Sequence, residues 1–311
     1  MNNEIILQLV LAKGIGDAAI KKVIKLLDAN ISLEWDDILN QNILRSRLGF
    51  NDDIIESINC QKERARQLSE MLYEKGIDIL MENDPRYPLR LKLSHKEKCP
   101  ALLFVKGNID LLNRKSVGFC GSRKVSQKGI DITLNCAKQL AENNVVVVSG
   151  YAAGTDLASH KGALQNSGET IFVLAEGILR YNLKAEIKES LTDKNHIFIS
   201  QFLPELTWKA LNAMKRNGVI IGLTDAMILV ESGMDGGTYA AGEETLAVNH
   251  PLFVIDFAQP EVSAEANPYF ISKGGIPIRG KEGKPNLSKV LATISNREFQ
   301  SEPEQLALVI N

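Results

Sequence analysis

The chain has 311 residues, of which 44% are hydrophobic and 24% are charged, proportions that are typical of a globular protein with room for one large domain and a small one. No apolar run approaches the roughly 20 residues of a membrane-spanning helix, and the N-terminus lacks a basic start followed by a small-residue cleavage site, so we expect a cytoplasmic protein without a membrane segment. The net charge of -2 argues against nucleic-acid binding through the whole surface, and any anion site must be local.

The cysteine and histidine positions give no sign of a metal site or a disulfide framework. The four cysteines are widely spaced and contain no C-x-x-C pair, and none of the four histidines is spaced as part of a ligand set. We therefore expect reduced, mostly buried thiols and neither a metal nor another cofactor. The cysteines are Cys60, Cys99, Cys120 and Cys136.

Residues 1–75 are predicted to form a small helical domain. Apolar residues in this part fall largely at spacings of three and four, for example at Ile20, Val23 and Ile24, which is the period of an amphipathic helix. The short apolar run at 77–81 then predicts a first strand.

Residues 76–295 are predicted to form a doubly wound, mostly parallel α/β sheet. From residue 116 onward, short apolar runs alternate with segments of helix length. Runs rich in valine and isoleucine without polar alternation are typical of parallel strands that are covered on both faces. The predicted strands are residues 116–120, 145–149, 170–175, 196–200, 226–231 and 251–256. A polar C-terminal tail is predicted for 296–311.

Three glycine-containing loops follow predicted strands, at 121–124, 150–156 and 232–238. In open α/β sheets, ligands bind beyond the carboxyl ends of the strands, where amides at helix N-termini favour anions. Glycine lets the backbone approach a phosphate closely, and Ser122 and Thr238 add hydroxyl donors. One such loop is as often a tight turn, but three together predict a phosphate site. None is a P-loop or a G-x-G-x-x-G fingerprint, which disfavours ordinary NTPase and dehydrogenase chemistry.

The motifs in and around these loops resemble those of the DNA-processing protein A (DprA/Smf) family. The run CGSRKVSQKG is similar to the family's V-G-S-R element, and SGYAAGTDLASHKGAL is similar to its S-G-x-A-x-G-I-D-x-x-A-H-x-x-A-L element. The run MKRNGVIIGLTDAMILVES resembles the R-N-R-I-I-x-G-L-S element, and NDPRYPLRL followed by CPALLFVKGN resembles the family's lead-in. The resemblance covers residues 80–280 in colinear order.

This resemblance implies a Rossmann-like domain that holds the phosphate backbone of single-stranded DNA, forms a homodimer and delivers the strand to a RecA-type recombinase without catalysis. The phosphate-binding residues carried over from the matching motifs are Gly121, Ser122, Arg123, Gly150, Gly154, Asp156, His160, Lys161, Arg216 and Asn217. The strand-end loops add Lys124, Gly236, Gly237 and Thr238 to this predicted site. We expect Arg123, Lys161 and Arg216 to supply the positive charges.

The sequence departs from the family pattern at several basic positions. Gly218 stands where the family has the second arginine of R-N-R, and Asn249-His250 replaces a late G-R pair. The expected P-G after the sixth predicted strand is Asp256-Phe257. Part of the usual basic surface is therefore missing, and the affinity for DNA could be lower or the ligand could be a smaller nucleotide.

Two features of the sequence bear on enzymatic activity. Asp156 and His160 could form a general acid/base pair, but we favour the interpretation that Asp156 caps the helix or orients the loop while His160 packs beneath it. The last loop resembles the P-G-G-x-G-T-x-x-E element of cytokinin-activating phosphoribohydrolases, yet Ala241 stands at the position of the catalytic glutamate. We expect no enzyme, and the alternative function is a sensor or hydrolase of a small nucleotide, for instance in a defence system.

A second candidate DNA contact lies near the N-terminus. Residues 11–17, LAKGIGD, resemble the turn of a helix-hairpin-helix, whose amides can face a DNA phosphate. The alternative is a plain helical turn in a protein-protein module, because the nearby lysines also fit an ordinary solvated face.

Overall fold

The computed structural model describes residues 3–30, 32–95, 99–281 and 283–296. The predicted tail beyond residue 296 lies outside the described residues. The helices are α1 (Asn3–Leu11), α2 (Asp17–Asp28), α3 (Asp52–Cys60), α4 (Lys62–Glu74), α5 (Leu89–His95), α6 (Gln127–Glu142), α7 (Thr155–Leu164), α8 (Ala185–Lys188), α9 (Ala210–Leu223), α10 (Gly236–Ala247), α11 (Asn267–Ser272) and α12 (Ser288–Ser295).

The N-terminal part is helical, as its apolar spacing predicts. The α2 helix buries Ile20, Val23 and Ile24 on one face. Asn51 caps the start of α3, where its side chain accepts a hydrogen bond from the Ile54 amide at 3.0 Å. Buried side chains of these helices form one hydrophobic cluster with sheet residues of the strands that follow. The apolar faces of α1–α4 are therefore covered by each other and by the sheet.

The described strands form a nine-stranded sheet in the order β1-β2-β6-β5-β4-β3-β7-β8-β9. Pairing is antiparallel between β1 and β2 and between β2 and β6, and it is parallel in the rest of this sheet. The strands are β1 (Asp78–Met81), β2 (Leu102–Gly107), β3 (Ser116–Cys120), β4 (Val146–Ser149), β5 (Thr170–Val173), β6 (His196–Ser200), β7 (Ala226–Leu229), β8 (Leu252–Ile255) and β9 (Ile276–Ile278). A separate pair consists of β10 (Gly280–Lys281) and β11 (Lys284–Pro285).

The topology confirms a doubly wound, mostly parallel α/β sheet. From β3 the chain proceeds outward through β4, β5 and β6, and it then returns to the other side of β3 as β7. The order of strands reverses beside β3, and such a switch point leaves a crevice beyond the carboxyl ends of the two neighbouring strands. The crevice between β3 and β7 is therefore the first place to look for a ligand site.

Two strands of the main sheet were not among the predicted strands. The β2 strand pairs with both β1 and β6 and extends the sheet on one side. The β9 strand pairs with β8 on the other side. Because β8 is an interior strand between β7 and β9, burial explains its apolar sequence.

No helix in the described ranges combines the length and the apolar character that crossing a membrane requires. Three of the four cysteines are buried and Cys60 is exposed, in agreement with mostly buried thiols.

Candidate nucleic-acid interface

A cleft of about 490 Å³ opens at the switch point of the sheet. Its walls come from the loops that follow β3 and β7 and from α9, and Arg123, Arg216 and Thr238 are among the lining residues. A side pocket of about 320 Å³ adjoins this cleft. Both spaces are lined by Arg123, Ala152, Trp208 and Arg216, so these residues separate the cleft from the side pocket.

The loop after β3 is held tightly against the start of α7. A Cβ atom added to Gly121 would overlap with the Thr155 side chain. The Ser122 amide donates to the Glu231 carbonyl at 3.0 Å, and the Ser122 hydroxyl accepts from the Lys124 amide at 3.0 Å. Only a residue without a side chain fits this approach, which accounts for the glycine.

The cations of this loop remain exposed. The side chain of Arg123 points over Trp208, with its guanidinium carbon 5.2 Å from the ring centroid, a distance at which a cation and an aromatic face attract each other. Lys124 is also exposed. Trp208 itself is 47% exposed, so the pair forms a solvent-accessible corner of the cleft.

The loop after β4 is organised by Asp156. The Asp156 carboxylate accepts from the Ser149 hydroxyl at 2.9 Å and from the Ala152 amide at 3.1 Å, and it lies 3.9 Å from Arg216 Nη2. These contacts confirm the interpretation that Asp156 orients the loop. Helix α7 begins after Gly154, whose φ of +77° is readily adopted only by glycine.

Arg216 is the buried cation of the site. It is 7% exposed and donates from Nη1 to the Val173 carbonyl at 3.1 Å. Its Nε is buried and has no hydrogen-bond partner among the described residues. Burial lowers the pKa of the Arg216 guanidinium, against the opposing effect of Asp156. A buried donor without an acceptor is costly, and a site of this kind is often completed by a ligand.

The loop after β7 presents the start of α10 to the cleft. Helix α10 begins at Gly236, which has a φ of +84°, and the side chain of the preceding Asp235 does not cap it. Gly237 and Thr238 line the cleft together with Asp235. Asn217 ties this loop to α9 by donating to the Gly237 carbonyl at 3.3 Å. Amides of the first turn of a helix favour anions, although the Asp235 carboxylate opposes them here.

His160 does not reach the cleft, so a direct phosphate contact by this residue is a prediction that the structure contradicts. Its ring is fully buried, lies 2.7 Å from the Gly150 carbonyl through Nε2 and 2.5 Å from the Thr170 hydroxyl through Nδ1, and packs on Phe172. Burial lowers the pKa of His160 to about 4. Because a carbonyl only accepts, Nε2 carries the proton of the neutral ring. His160 therefore supports the Gly150 loop from beneath.

Lys161 is also separated from the predicted cluster of cations. It lies in the last turn of α7, about 9 Å along the helix axis from Thr155, and it lines neither the cleft nor the side pocket. The structure thus brings Arg123 and Arg216 together and leaves Lys161 at the opposite end of the helix.

Several residues of the site were not predicted. Trp208 and Met214 contribute exposed apolar surface to the cleft, and Glu176 lines the side pocket. The buried Glu231 carboxylate accepts from the Ser126 amide at 2.9 Å and from the Ser263 hydroxyl at 2.7 Å, and it thereby fixes the start of α6. A signal existed for Trp208, because a tryptophan between Thr207 and Lys209 stands in a polar setting.

The helix-hairpin-helix candidate lies in the turn before α2. Gly14 has a φ of +90°, and the Lys13 amide donates to the Ser57 hydroxyl at 2.8 Å. One of the amides that such a turn would offer to a phosphate is therefore already used within the protein. This contact favours the packing role of the turn.

The chain is similar to one protein family, both in a family model and in its relatives of known sequence. The family model for DNA recombination-mediator protein A matches residues 78–282. The DNA processing protein DprA of Streptococcus pneumoniae is 34% identical over 164 residues, which are 52% of this chain and 58% of that protein. DprA of Bacillus subtilis is 28% identical over 186 residues, which are 58% of this chain and 61% of that protein. The matched part thus spans about three fifths of these relatives.

Solved structures show the same likeness. The X-ray structure of DprA from Streptococcus pneumoniae superposes with a TM-score of 0.72 and 26% identity, covering 94% of this chain and 98% of that one. A DprA structure from Helicobacter pylori, which concerns the single-stranded DNA binding mode of that protein, has a TM-score of 0.56 and 20% identity over 70% of this chain and 94% of that one. At this identity, the second likeness concerns the fold.

Proposed function

Since the chain belongs to the DNA recombination-mediator protein A family, we propose that it binds single-stranded DNA by the phosphate backbone in the strand-end cleft and delivers the strand to a recombinase during DNA uptake or recombination. The observation that carries this proposal is the meeting of Arg123, Arg216 and the start of α10 in one open cleft. Each of these offers hydrogen-bond donors to an anion.

The three groups differ in what they contribute. Arg123 is exposed at the rim of the cleft, whereas Arg216 is buried and held by Val173 and Asp156. The first-turn amides of α10 supply donors that need no reorganisation. Contacts of this kind hold the backbone of a nucleic acid without reading its sequence.

The apolar rim of the cleft supports a single strand as the ligand. Trp208 and Met214 are about half exposed, at 47% and 49%, and both line the cleft that contains the cations. Unpaired bases stack on exposed aromatic rings, while the bases of a duplex are stacked on each other and are not free to do so. An aromatic rim beside a phosphate site is therefore suited to a single strand.

We propose that this binding is not coupled to catalysis. The best candidate for a general acid/base, His160, is buried beneath the loop and separated from the cleft. Asp156, the other member of the candidate pair, is engaged by Ser149, Ala152 and Arg216. His160 is therefore not placed to transfer a proton to a ligand in the cleft, and the Asp156 carboxylate, although it lines the cleft, is already engaged by these three partners.

Family membership supports a proposal about the partners and the location of the protein. A homodimer, a RecA-type recombinase as the acceptor of the strand, and a cytoplasmic location are part of the proposal. Co-purification of the recombinase with the DNA-loaded protein, and sedimentation of the free protein at tens of micromolar, a range set by weak-dimer affinities, test the first two.

A second candidate function is a sensor for a small nucleotide. It is favoured by the side pocket, whose volume of about 320 Å³ lies at the lower end of the range for small-molecule sites. A mononucleotide could place its phosphate near Arg123 and its base in this pocket.

Length dependence separates the two functions. Fluorescence anisotropy with labelled thymidine oligomers of increasing length should show affinity that rises steeply over the first few nucleotides, because each added phosphate adds a contact until the cleft is filled. A labelled mononucleotide that binds as tightly as the longest oligomer would instead support the sensor. Absence of binding to all oligomers would overturn the proposed function.

A further inference from the structure

The side pocket is lined by a carboxylate, Glu176, although a carboxylate repels a phosphate. Glu176 lines this pocket with Tyr151, Trp208 and Arg216. Among the described residues, no hydrogen-bond donor is paired with its side chain, although Arg216 and Lys184 are near enough to act on it electrostatically. Burial nevertheless raises the pKa of Glu176. A partly buried carboxylate that faces an open pocket is an acceptor without a donor.

The backbone around Glu176 is held firmly in place. Its carbonyl accepts a hydrogen bond from the Ser200 hydroxyl at 2.7 Å. At the next residue, Gly177, an added Cβ would overlap with the carbonyls of Leu203 and Pro204. The Glu176 side chain is therefore attached to a fixed point at the end of β5.

The side pocket is also lined by an aromatic side chain, Trp208. Trp208 lines the pocket and the cleft alike, and its ring is stabilised by Arg123 over one face. Trp208 therefore lies where the cleft that would hold the strand adjoins the side pocket. Aromatic stacking with hydrogen bonds to the Watson–Crick edge is how proteins read unpaired bases.

A carboxylate selects among the bases because it accepts and never donates when ionised. Guanine alone presents two neighbouring donors on its Watson–Crick edge, the N1–H and the 2-amino group, and these match the two carboxylate oxygens. Cytosine and adenine place an acceptor beside their amino group, and thymine flanks its single N–H with two carbonyls.

We propose that the side pocket reads one base of the bound strand and prefers guanine, with Trp208 stacking on the base and Glu176 accepting from its N1–H and 2-amino groups. This inference rests on the proposed function, and it adds a base preference to a site that otherwise holds only the backbone.

The test compares alternating oligomers of equal length, in which thymine alternates with guanine, hypoxanthine or cytosine. Hypoxanthine lacks the 2-amino group and keeps N1–H. The wild-type protein should bind the guanine oligomer at least about fivefold more tightly than the cytosine oligomer, the lower end of what a bidentate base contact contributes, and the hypoxanthine oligomer should lie between them.

Two variants assign the preference to Glu176. Glu176→Gln should bind the guanine and cytosine oligomers equally, with affinity for the cytosine oligomer no lower than in the wild type because a negative charge is removed. Glu189→Gln changes the same charge at an exposed residue outside the pocket and should keep the preference. Trp208→Ala, at an exposed site, should weaken binding of all three oligomers and reduce the preference.

Equal wild-type affinity for the three oligomers would overturn the inference and leave the proposed function intact. A guanine preference that persists in Glu176→Gln would overturn the role of Glu176. Failure of the wild-type protein to bind any oligomer would overturn the proposed function and the inference together.

Discussion

Arg216 shows how one residue serves both the fold and the site. Its guanidinium fills the space beneath Gly150, pairs with Asp156 and still buries one unpaired donor within the part of the chain that the structure describes. Burying a charge with incomplete partners costs free energy, and such groups are found at functional sites as well as in structural ion-pair networks. Arg123 differs from Arg216 because it is exposed, and an exposed side chain usually contributes little to folding stability.

We expect Arg123→Ala to weaken binding of single-stranded DNA several-fold, because one phosphate contact of the cleft is lost. The free energy of unfolding should change by less than about 0.5 kcal/mol, as is usual for an exposed side chain. Lys161→Ala is the matched control, since it removes one positive charge outside the cleft, and it should leave the affinity unchanged. Anisotropy titrations of the three proteins give the comparison, and equal affinity for wild type and Arg123→Ala would remove Arg123 from the site.

His160 makes folding stability depend on pH. The folded protein keeps its ring neutral down to a pKa of about 4, whereas an unfolded chain protonates histidine near pH 6.5. The unfolded state therefore binds more protons between these values, and the stability that is present above pH 6.5 is lost as the pH falls toward 4.

From this difference we expect the free energy of unfolding to fall by about 2 kcal/mol between about pH 7.5 and about pH 5 on account of His160. Urea unfolding of the wild type and of His160→Gln at both pH values isolates this contribution, because other groups, including His196 with its lowered pKa, remain in both proteins. An equal pH dependence in the two proteins would contradict the buried neutral histidine.

The site depends on loops whose glycines lie so close to other parts of the chain that no side chain would fit at those positions. Gly150 is the clearest case, because an added Cβ would overlap with the Arg216 guanidinium and the Asp156 carboxylate. The loop after β4, the start of α7 and helix α9 therefore form one unit, and a change in any of them moves the others.

Gly150→Ala should accordingly displace Arg216, lower the free energy of unfolding by about 1 to 3 kcal/mol, as overpacking does, and abolish most DNA binding. Gly16→Ala is the control, since a Cβ there has open space around it; because Gly16 is the N-cap of α2, where alanine is less favourable than glycine, it should lower the free energy of unfolding by less than about 1 kcal/mol and leave the DNA affinity unchanged. Thermal unfolding and anisotropy on the same samples test the pair. A Gly150→Ala protein with full DNA affinity would show that the position of Arg216 is unimportant.

The elements also show which parts of the fold could be predicted from the sequence. The six buried strands from β3 to β8 were evident because parallel strands covered on both faces have continuous apolar runs. The β9 strand is only three residues long and contains Pro277, which weakens any strand signal. The β2 strand is a clear apolar run, but its antiparallel pairing between β1 and β6 depends on contacts that are distant in sequence.

The sequence predicted the loops of the candidate site better than its individual residues. Strand ends of a parallel sheet meet at one edge, so three glycine-containing loops could be assigned to one cleft. Which side chains converge there depends on helix rotation and tertiary packing. His160 and Lys161 follow the loop directly, yet the first points into the core and the second lies far along α7, while Trp208 comes from a distant segment.

The net charge of -2 is consistent with the mixed charges found at the cleft. The cations of the cleft are few, and Asp235 and Glu176 lie close to them. The cleft is therefore not a broad positive surface, and binding there depends on a small number of phosphate contacts reinforced by base stacking.

The most direct test of this account is the salt dependence of the affinity for a thymidine oligomer, measured by anisotropy from about 50 to about 200 mM salt with a mononucleotide as competitor. Each phosphate contact on a single strand contributes roughly 0.7 to the slope of log affinity against log salt. Two or three contacts in the cleft predict a slope of about -1.4 to -2.1, a shallower slope in Arg123→Ala, and little displacement by the mononucleotide. An affinity that does not change with salt, or full displacement by the mononucleotide near its own dissociation constant, would contradict the proposal that this cleft holds the backbone of single-stranded DNA.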